Sequence, residues 1–359
     1  MNLMDISNIR LINQQIVNSK FTNIKDVVGW MGAIQAQDYS MAKWAIGARL
    51  PNINESQIEE AIKKVDIIRT HILRPTWHFV SSDDIYWMLE LAAPQIMAAT
   101  KSRDNSLGIN ESAFQKSNAI FEKVLSGGKQ LLREELATEL KRLDIATGDN
   151  RLYHFLIRAE IDGIIFSRNT GNKQTFSLLH EIIPKAKSYT RDEALVKLAK
   201  KYFKSHGPAT IHDFSWWSGL SIGESRKALE MSLPDFISEK IENQTFWFSP
   251  SVSSPKSEKD LMFLLPAFDE FLVSYKNRTA SISLEYQHKA FTSNGTFRPT
   301  IVFNGQVVGI WSRAIKKDKV LLEIELSQRN NEIVKDMILT AATPFGNFSH
   351  KQAEVTYRA

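Results

Sequence analysis

Cysteine is absent from the 359 residues, which removes disulfides, thiol nucleophiles, cysteine-held iron–sulfur clusters and cysteine-ligated zinc together. Long apolar runs are missing as well. No stretch approaches the roughly 20 apolar residues of a membrane-spanning helix, and Asp5 and Arg10 interrupt the start of the chain where a secretory leader needs an unbroken apolar core. The expectation is a cytoplasmic protein with no membrane partner. Several catalytic signatures are also lacking: there is no Gly-x-Gly-x-x-Gly loop, no nucleophile elbow and no His-Glu-x-x-His. Gly127-Gly128-Lys129 imitates the end of a phosphate loop, but Lys123 stands where its first glycine belongs and Gln130 where Ser or Thr belongs. The eight histidines are scattered. His71 and His78 are a pair that a hairpin could bring together, with no third ligand nearby, so structural histidines are favoured over a metal site. No metal and no cofactor is expected.

What is present is an ordinary globular composition, 43% hydrophobic and 24% charged, long enough for two to four domains of roughly 100 to 150 residues. Lysine and arginine number 45 against 40 aspartate and glutamate, a net charge of +5. Residues 185–206 carry that whole excess in seven bases (Lys185, Lys187, Arg191, Lys197, Lys200, Lys201, Lys204) against Asp192 and Glu193. Such a helix either faces a polyanion or is a solvated face beside the apolar stripe Leu195, Leu198, Ala199 and Phe203.

Periodicity repeats one unit three times, helices followed by a short hairpin. In the third copy a helix over 190–205 precedes Asp213-Phe214-Ser215-Trp216-Trp217-Ser218-Gly219-Leu220. Gly219 is suited to the turn, Ser221 to cap the next helix, and Glu224 to reach back to the Ser221 amide as in a capping box. Strands over 235–241 and 245–249 then form a wing around Glu242-Asn243. The second copy has helices over 131–143 and 150–162, strands over 164–167 and 175–178, and the turn Asn169-Thr170-Gly171-Asn172. The first has helices over 23–34 and 56–64 and a hairpin over 67–80. A Ser/Pro-rich linker over 249–256 leads to strands over 261–266, 300–303, 306–312 and 319–326, then a helix over 328–341. The expected fold class is α+β: three tandem winged-helix (helix-turn-helix) units over 1–105, 106–188 and 189–250, followed by a C-terminal β-barrel-like domain over 258–359.

Two segments are dense in chemistry. In Ile34-Gln35-Ala36-Gln37-Asp38-Tyr39, Gln35 and Gln37 flank a small apolar residue just before an acid. At the end of the expected helix they would either leave its apolar stripe and converge on a cleft, or simply be an exposed helix end. The second segment, Arg69 through Val80, is rich in side chains that hydrogen-bond or stack, and equally fits an amphipathic hairpin with Trp77 and Phe79 in the core.

These segments, with Arg74-Pro75-Thr76-Trp77-His78-Phe79-Val80, the Asp213 to Leu220 motif, Leu264-Leu265-Pro266-Ala267-Phe268-Asp269-Glu270-Phe271 and Tyr275-Lys276-Asn277-Arg278, resemble the AlkZ-like bacterial DNA glycosylases in the same order along the whole chain. The resemblance implies tandem winged helices and a C-terminal β-barrel, and it implies that Gln35 and Gln37 carry catalysis. Gln at the second position is similar to the crosslink-unhooking branch, where another branch has Asp. Asp38 ranks third, as a carboxylate able to stabilise a developing sugar cation. Arg74, His78, Lys276, Arg278, Arg298 and Arg313 lie in or beside the resembling motifs and are candidates for contacts to double-stranded DNA carrying alkylated bases, each equally a candidate for a surface salt bridge.

Neutral amides suit one substrate class. Guanine alkylated at N7 is already cationic, so its departure needs little general-acid help, and a glutamine pair has the donors and acceptors to orient one water. Most glycosylases flip the base into a deep pocket; a crosslink is better served by an open concave surface of winged helices. The expectation is a monofunctional, monomeric glycosylase acting on N7-alkylated guanine and interstrand crosslinks. No lyase step is expected, because Lys43 is the nearest lysine after the glutamines. The alternative is a non-enzymatic tandem winged-helix DNA-binding regulator, in which the helix over 221–231 reads sequence with Arg226 and Lys227.

Overall fold

The computed structural model describes residues 1–170, 173–185, 188–250, 260–327 and 332–358. Helices α1 (Leu3–Asn13) and α2 (Ile24–Met31) lead to the two-residue strand β1 (Ile34–Gln35), then α3 (Tyr39–Gly47), α4 (Glu55–Lys63) and the hairpin β2 (Ile67–Ile72) and β3 (Thr76–Ser81). Next come α5 (Ile85–Ser106), α6 (Glu111–Leu125), β4 (Leu131–Leu132), α7 (Arg133–Arg142), α8 (Arg151–Ile161) and the hairpin β5 (Ile165–Thr170) and β6 (Lys173–Leu178). The short α9 (Leu179–Ile182) precedes α10 (Arg191–His206), α11 (Ile211–Ser218), α12 (Ile222–Glu230) and a third hairpin, β7 (Ile237–Ile241) and β8 (Gln244–Phe248). The last part contains β9 (Met262–Leu265), α13 (Glu270–Val273), α14 (Gln287–Ala290), β10 (Thr300–Phe303), β11 (Gln306–Ile315), β12 (Lys319–Leu326), α15 (Glu332–Phe348) and β13 (Gln352–Tyr357). Among the described residues no helix is long and apolar enough to cross a membrane.

The sequence expectation differs from this in informative places. The helix expected over 23–34 stops at Met31, because Gly32 takes φ 78° and releases Ile34 and Gln35 as a strand. Residues 251–256 of the expected linker, Gly171 and Asn172 of the expected turn, Lys187, and residues 328–331 of the last helix lie outside the described residues. That helix runs on to Phe348, and β13 then returns parallel to β12. The C-terminal sheet, in the order β13-β12-β11-β10-β9, is a curled half-barrel rather than a closed barrel.

The first two hairpins are one sheet, in the order β1-β3-β2-β5-β6-β4, joined where Arg69 faces Ser167. Each face of the first hairpin enters a different core. Ile68, Ile72 and Val80 pack with Leu198, Tyr202 and Trp217 of the third unit, whereas Ile67 and Phe79 pack with Leu264, Trp311 and Phe345 of the C-terminal part. Period-two alternation along the strands sorts the residues this way. β1 is therefore an edge strand wedged among three parts of the chain.

Helices α11 and α12 are joined through Gly219 at φ 73°, in the helix, glycine turn, helix order expected of this segment. A Cβ on Gly219 would sit 2.9 Å from the Leu73 carbonyl oxygen, so this turn abuts the β2–β3 turn. The expected capping box is only half made: Ser221 Oγ accepts from the Glu224 N–H at 3.2 Å, but Glu224 turns to Arg191 at 2.5 Å and Gln95 at 3.2 Å instead of the Ser221 amide. The basic helix buries Leu195, Leu198, Ala199 and Phe203 as expected. The charge of residues 185–206 is largely matched within the chain: Lys185 pairs with Glu90, Arg191 with Glu224, Lys197 and Lys201 with Asp84, and Lys200 with Asp235.

Candidate active site

The Gln-Ala-Gln segment is held from several directions. Gln35 pairs with His78 across β1 and β3 and is buried. Its main-chain N–H donates to Glu270 Oε1 at 2.6 Å, and its side-chain Oε1 accepts from Arg74 Nη2 at 3.1 Å. The Ala36 N–H donates to the Trp77 carbonyl at 2.7 Å. The Ala36 carbonyl accepts from Arg69 Nε at 3.1 Å and Nη2 at 2.9 Å. Arg69 lies over the Trp77 ring at 4.3 Å, and burial lowers its guanidinium to about 10. One glutamine is thus fixed by its neighbours, while Gln37 is exposed at the bend that follows.

Asp38 is exposed and caps α3, its Oδ1 accepting from the Met41 N–H at 3.0 Å. Lys43, one turn on, is buried and committed to Glu55 at 2.6 Å and Glu59 at 2.5 Å.

The six candidate DNA contacts fall into different environments. Arg74 is half-buried and its guanidinium lies 5.3 Å from the centroid of Trp216; burial lowers its pKa, against the pull of Glu270. Trp216 is 40% exposed, with its indole N–H fixed on the Val273 carbonyl at 3.0 Å. Arg278 is enclosed by Trp216, Phe291 and Phe297 at 5.6, 4.9 and 5.1 Å, and burial lowers it to about 10. Lys276 and Arg298 are exposed, and Lys276 lines a groove of about 800 Å³ with His212 and Thr245. Arg313 is half-buried, and burial lowers its guanidinium against the charges of Asp38 and Glu55.

His78 does not belong with these surface cations. It is 0% exposed, its Nδ1 is 2.9 Å from the Thr76 carbonyl, and burial pushes it down to about 4, so it is neutral and out of reach of a phosphate. Nor does it meet His71, which faces Trp77 in the register and so lies on the opposite face of the hairpin; His71 Nδ1 is 2.5 Å from Glu160 instead. Among the described residues no group of three or more His, Asp and Glu is placed to hold a metal ion.

Glu270, Trp216 and Arg69 were not singled out from sequence as site residues. Glu270 lies in the resembling motif Leu264 to Phe271, and an acid in such an apolar run must be paired if buried, a signal that it shares with Asp269. Burial by itself would raise the Glu270 carboxyl, but the nearby imidazoles of His206 and His78 and the Ser274 hydroxyl outweigh this and hold it at about 2.

An interstrand DNA cross-link repair glycosylase of Streptomyces sahachiroi is 24% identical over 309 residues, 80% of this chain and 81% of that protein. The solved structure of the Streptomyces sahachiroi DNA glycosylase AlkZ has the same fold, with a TM-score of 0.84 at 20% identity over 100% of both chains. A family profile described as DNA glycosylase AlkZ-like matches residues 28–346, a span that runs from α2 through β1 and the basic helix into α15. On that match over most of its length, the chain belongs to the AlkZ-like DNA glycosylase family.

Proposed function

We propose that this protein hydrolyses the N-glycosidic bond of N7-alkylated guanine in double-stranded DNA, interstrand crosslinks included, as a monofunctional glycosylase. The observation that carries this reading is the contrast within one three-residue segment: Gln35 is fixed by Arg74 and Glu270, and Gln37 is open to solvent. With one Oε1 lone pair directed at Arg74, Gln35 offers its amide N–H groups and its second lone pair in a defined orientation. Gln37 supplies an adaptable partner for the attacking water. As the C1′–N9 bond breaks, its electron pair neutralises the cationic base, so no acid is needed on the leaving side. Water adds to the sugar cation and releases its proton to solvent. Orientation of this kind contributes roughly 10² to 10⁴-fold, sufficient for a bond already activated by alkylation.

Three further features fit. The hairpins β2–β3, β5–β6 and β7–β8, each following helices, are taken as three winged-helix wings around an open surface suited to a crosslink. The amine of Lys43 is committed to two carboxylates, consistent with hydrolysis without a Schiff base. Lys227 of α12 pairs with Asp192 at 2.6 Å, which leaves that helix poor in free cations for sequence reading by a regulator.

The test is release of free base from duplex DNA containing N7-methylguanine, then from a duplex with a defined N7–N7 crosslink. Wild type is expected to release base, with Gln35→Ala and Gln37→Ala each slower by one to three orders of magnitude. No release by wild type, or equal release by the double variant, removes the assignment.

A further inference from the structure

The chemistry above uses Glu270 only as an acceptor for the Gln35 main chain and leaves its negative charge without a role. Glu270 is 0% exposed and begins α13, in the C-terminal part of the chain. Donors from three separate parts of the chain converge on it: the Gln35 main-chain N–H at 2.6 Å, the Trp217 indole N–H at 3.2 Å, and the Ser274 hydroxyl. His206 Nε2 stands 3.7 Å away. The neighbouring acid, Asp269, is already neutralised by the buried Arg49 in a two-point contact at 2.8 and 2.9 Å. No guanidinium or ammonium group makes a contact of that kind with Glu270 among the described residues.

A buried carboxylate gives up its hydration, and here the Gln35, Trp217 and Ser274 donors and the nearby imidazole of His206 stand in for that water. If the site needed only an acceptor for the Gln35 amide, a backbone or side-chain carbonyl would serve without that cost. The retained negative charge therefore calls for a use, and a cation forms in the proposed reaction. In a buried, low-dielectric setting a fixed charge a few ångströms beyond a peptide still acts on the sugar, because little water intervenes to screen it.

We propose that Glu270 is a positioning residue for glycosidic cleavage. Its carboxylate grips the main chain of Gln35 while Arg74 grips the side chain, and its negative charge lies behind that peptide where it favours the cationic sugar of the transition state. It exchanges no proton: the electron pair of the breaking bond leaves with the base, and the proton of the added water goes to solvent. This rests on the glycosylase reading, so its test includes a measurement that needs no substrate.

The full chain is compared as wild type, Glu270→Gln and Glu270→Asp, by single-turnover release of N7-methylguanine, by DNA affinity, and by hydrogen exchange at the Gln35 amide. Glu270→Gln keeps an acceptor and removes the charge. It is expected to bind DNA within two-fold of wild type, to keep the Gln35 amide protected, and to lose 10- to 100-fold in rate across pH 6 to 9. Glu270→Asp keeps the charge and withdraws it by one methylene, so faster exchange at Gln35 is expected with a comparable loss of rate. A Glu270→Gln rate within two-fold of wild type overturns the proposal, as does a wild-type Gln35 amide that exchanges as fast as that of Gln37.

Where Glu270→Gln yields no cooperatively folded protein, Ser274→Ala strips one donor from the carboxylate and leaves the Gln35 contact in place. Its rate at pH 7 is then expected to fall less than that of Glu270→Asp, since the charge and the Gln35 contact both stay, and a loss as large as that of Glu270→Asp overturns the charge role. If wild type releases no base, the glycosylase reading fails, while amide exchange at Gln35 in wild type and Glu270→Asp still decides whether Glu270 holds that strand.

Discussion

Arg74 and Gln35 are 39 positions apart and meet through one hydrogen bond, guanidinium Nη2 to amide Oε1 at 3.1 Å. The bond fixes which end of the Gln35 amide is oxygen, and thus where its remaining donors and lone pair lie. Replacing Arg74 with alanine is expected to lower the single-turnover rate by about 10- to 100-fold, since a freely rotating amide loses its orientation. Lysine at this position has the charge without the fork and is expected to recover only part of that loss. A rate for Arg74→Ala equal to wild type, with folding intact by circular dichroism, would show that the bond does not orient Gln35.

The salt dependence of DNA binding separates cations that are free from those already paired. Lys276 and Arg298 are exposed and Arg313 is half-buried, and none is in an ion pair among the described residues. Lys197 and Lys201 share Asp84 at 3.1 and 2.8 Å. Alanine at Lys276, Arg298 or Arg313 is expected to flatten the plot of log affinity against log salt by about one unit each. Alanine at Lys197 or Lys201 should leave the slope unchanged. A fall in slope only for the α10 lysines would place the DNA on the other surface.

Arg49 and Asp269 tie the end of α3 to the C-terminal part through a fully buried pair. Removal of one partner leaves the other charge without compensation, so Asp269→Asn or Arg49→Met is expected to cost about 3 to 5 kcal/mol. Urea unfolding measures this, and a loss below 1 kcal/mol would show that the pair is dispensable.

Acid should destabilise the fold in two overlapping steps. Burial lowers His78 from its ordinary 6.5 to about 4, and Glu270 is held at about 2 against an ordinary 4.5. Both groups bind fewer protons folded than unfolded, so both contributions are complete above pH 6.5. The His78 contribution is lost as pH falls from 6.5 to 4, and that of Glu270 from 4.5 to 2. Because the two groups act on each other, the loss is shared between the steps and is on the order of a few kcal/mol in total. Melting temperatures between pH 3 and 8 check this, and a level profile from pH 7 to 4 would exclude the His78 step.

Short-range features of the chain were legible in its residues. The third unit shows why: Gly219 between Trp217 and Ser221 marks a turn by backbone sterics, and the observed φ of 73° agrees. The hairpins over 67–80 and 237–248 follow from alternation and turn residues in the same way. The register of β2 against β3 was not legible. A shift of one residue exchanges the two faces, and it is this register that buries His78 and sends it away from His71. Glu270 was hidden for a related reason: two of its donors, Gln35 and Trp217, are far from it in sequence, and only Ser274, four residues on, is local.

By itself the sequence determined which reactive side chains the chain has and in what order they stand. The absence of cysteine and the Gln35-Ala36-Gln37 segment are properties of composition and order, which folding leaves unchanged. Tertiary structure decided the division of labour within that segment, with Gln35 pinned by Arg74 and Glu270 and Gln37 left in solvent. It also decided that the basic helix has most of its charge matched by Asp84, Asp235, Glu224 and Glu90. Both outcomes depend on pairs far apart in the chain. Their energies arise only when folding brings the partners within hydrogen-bonding distance and removes the water between them.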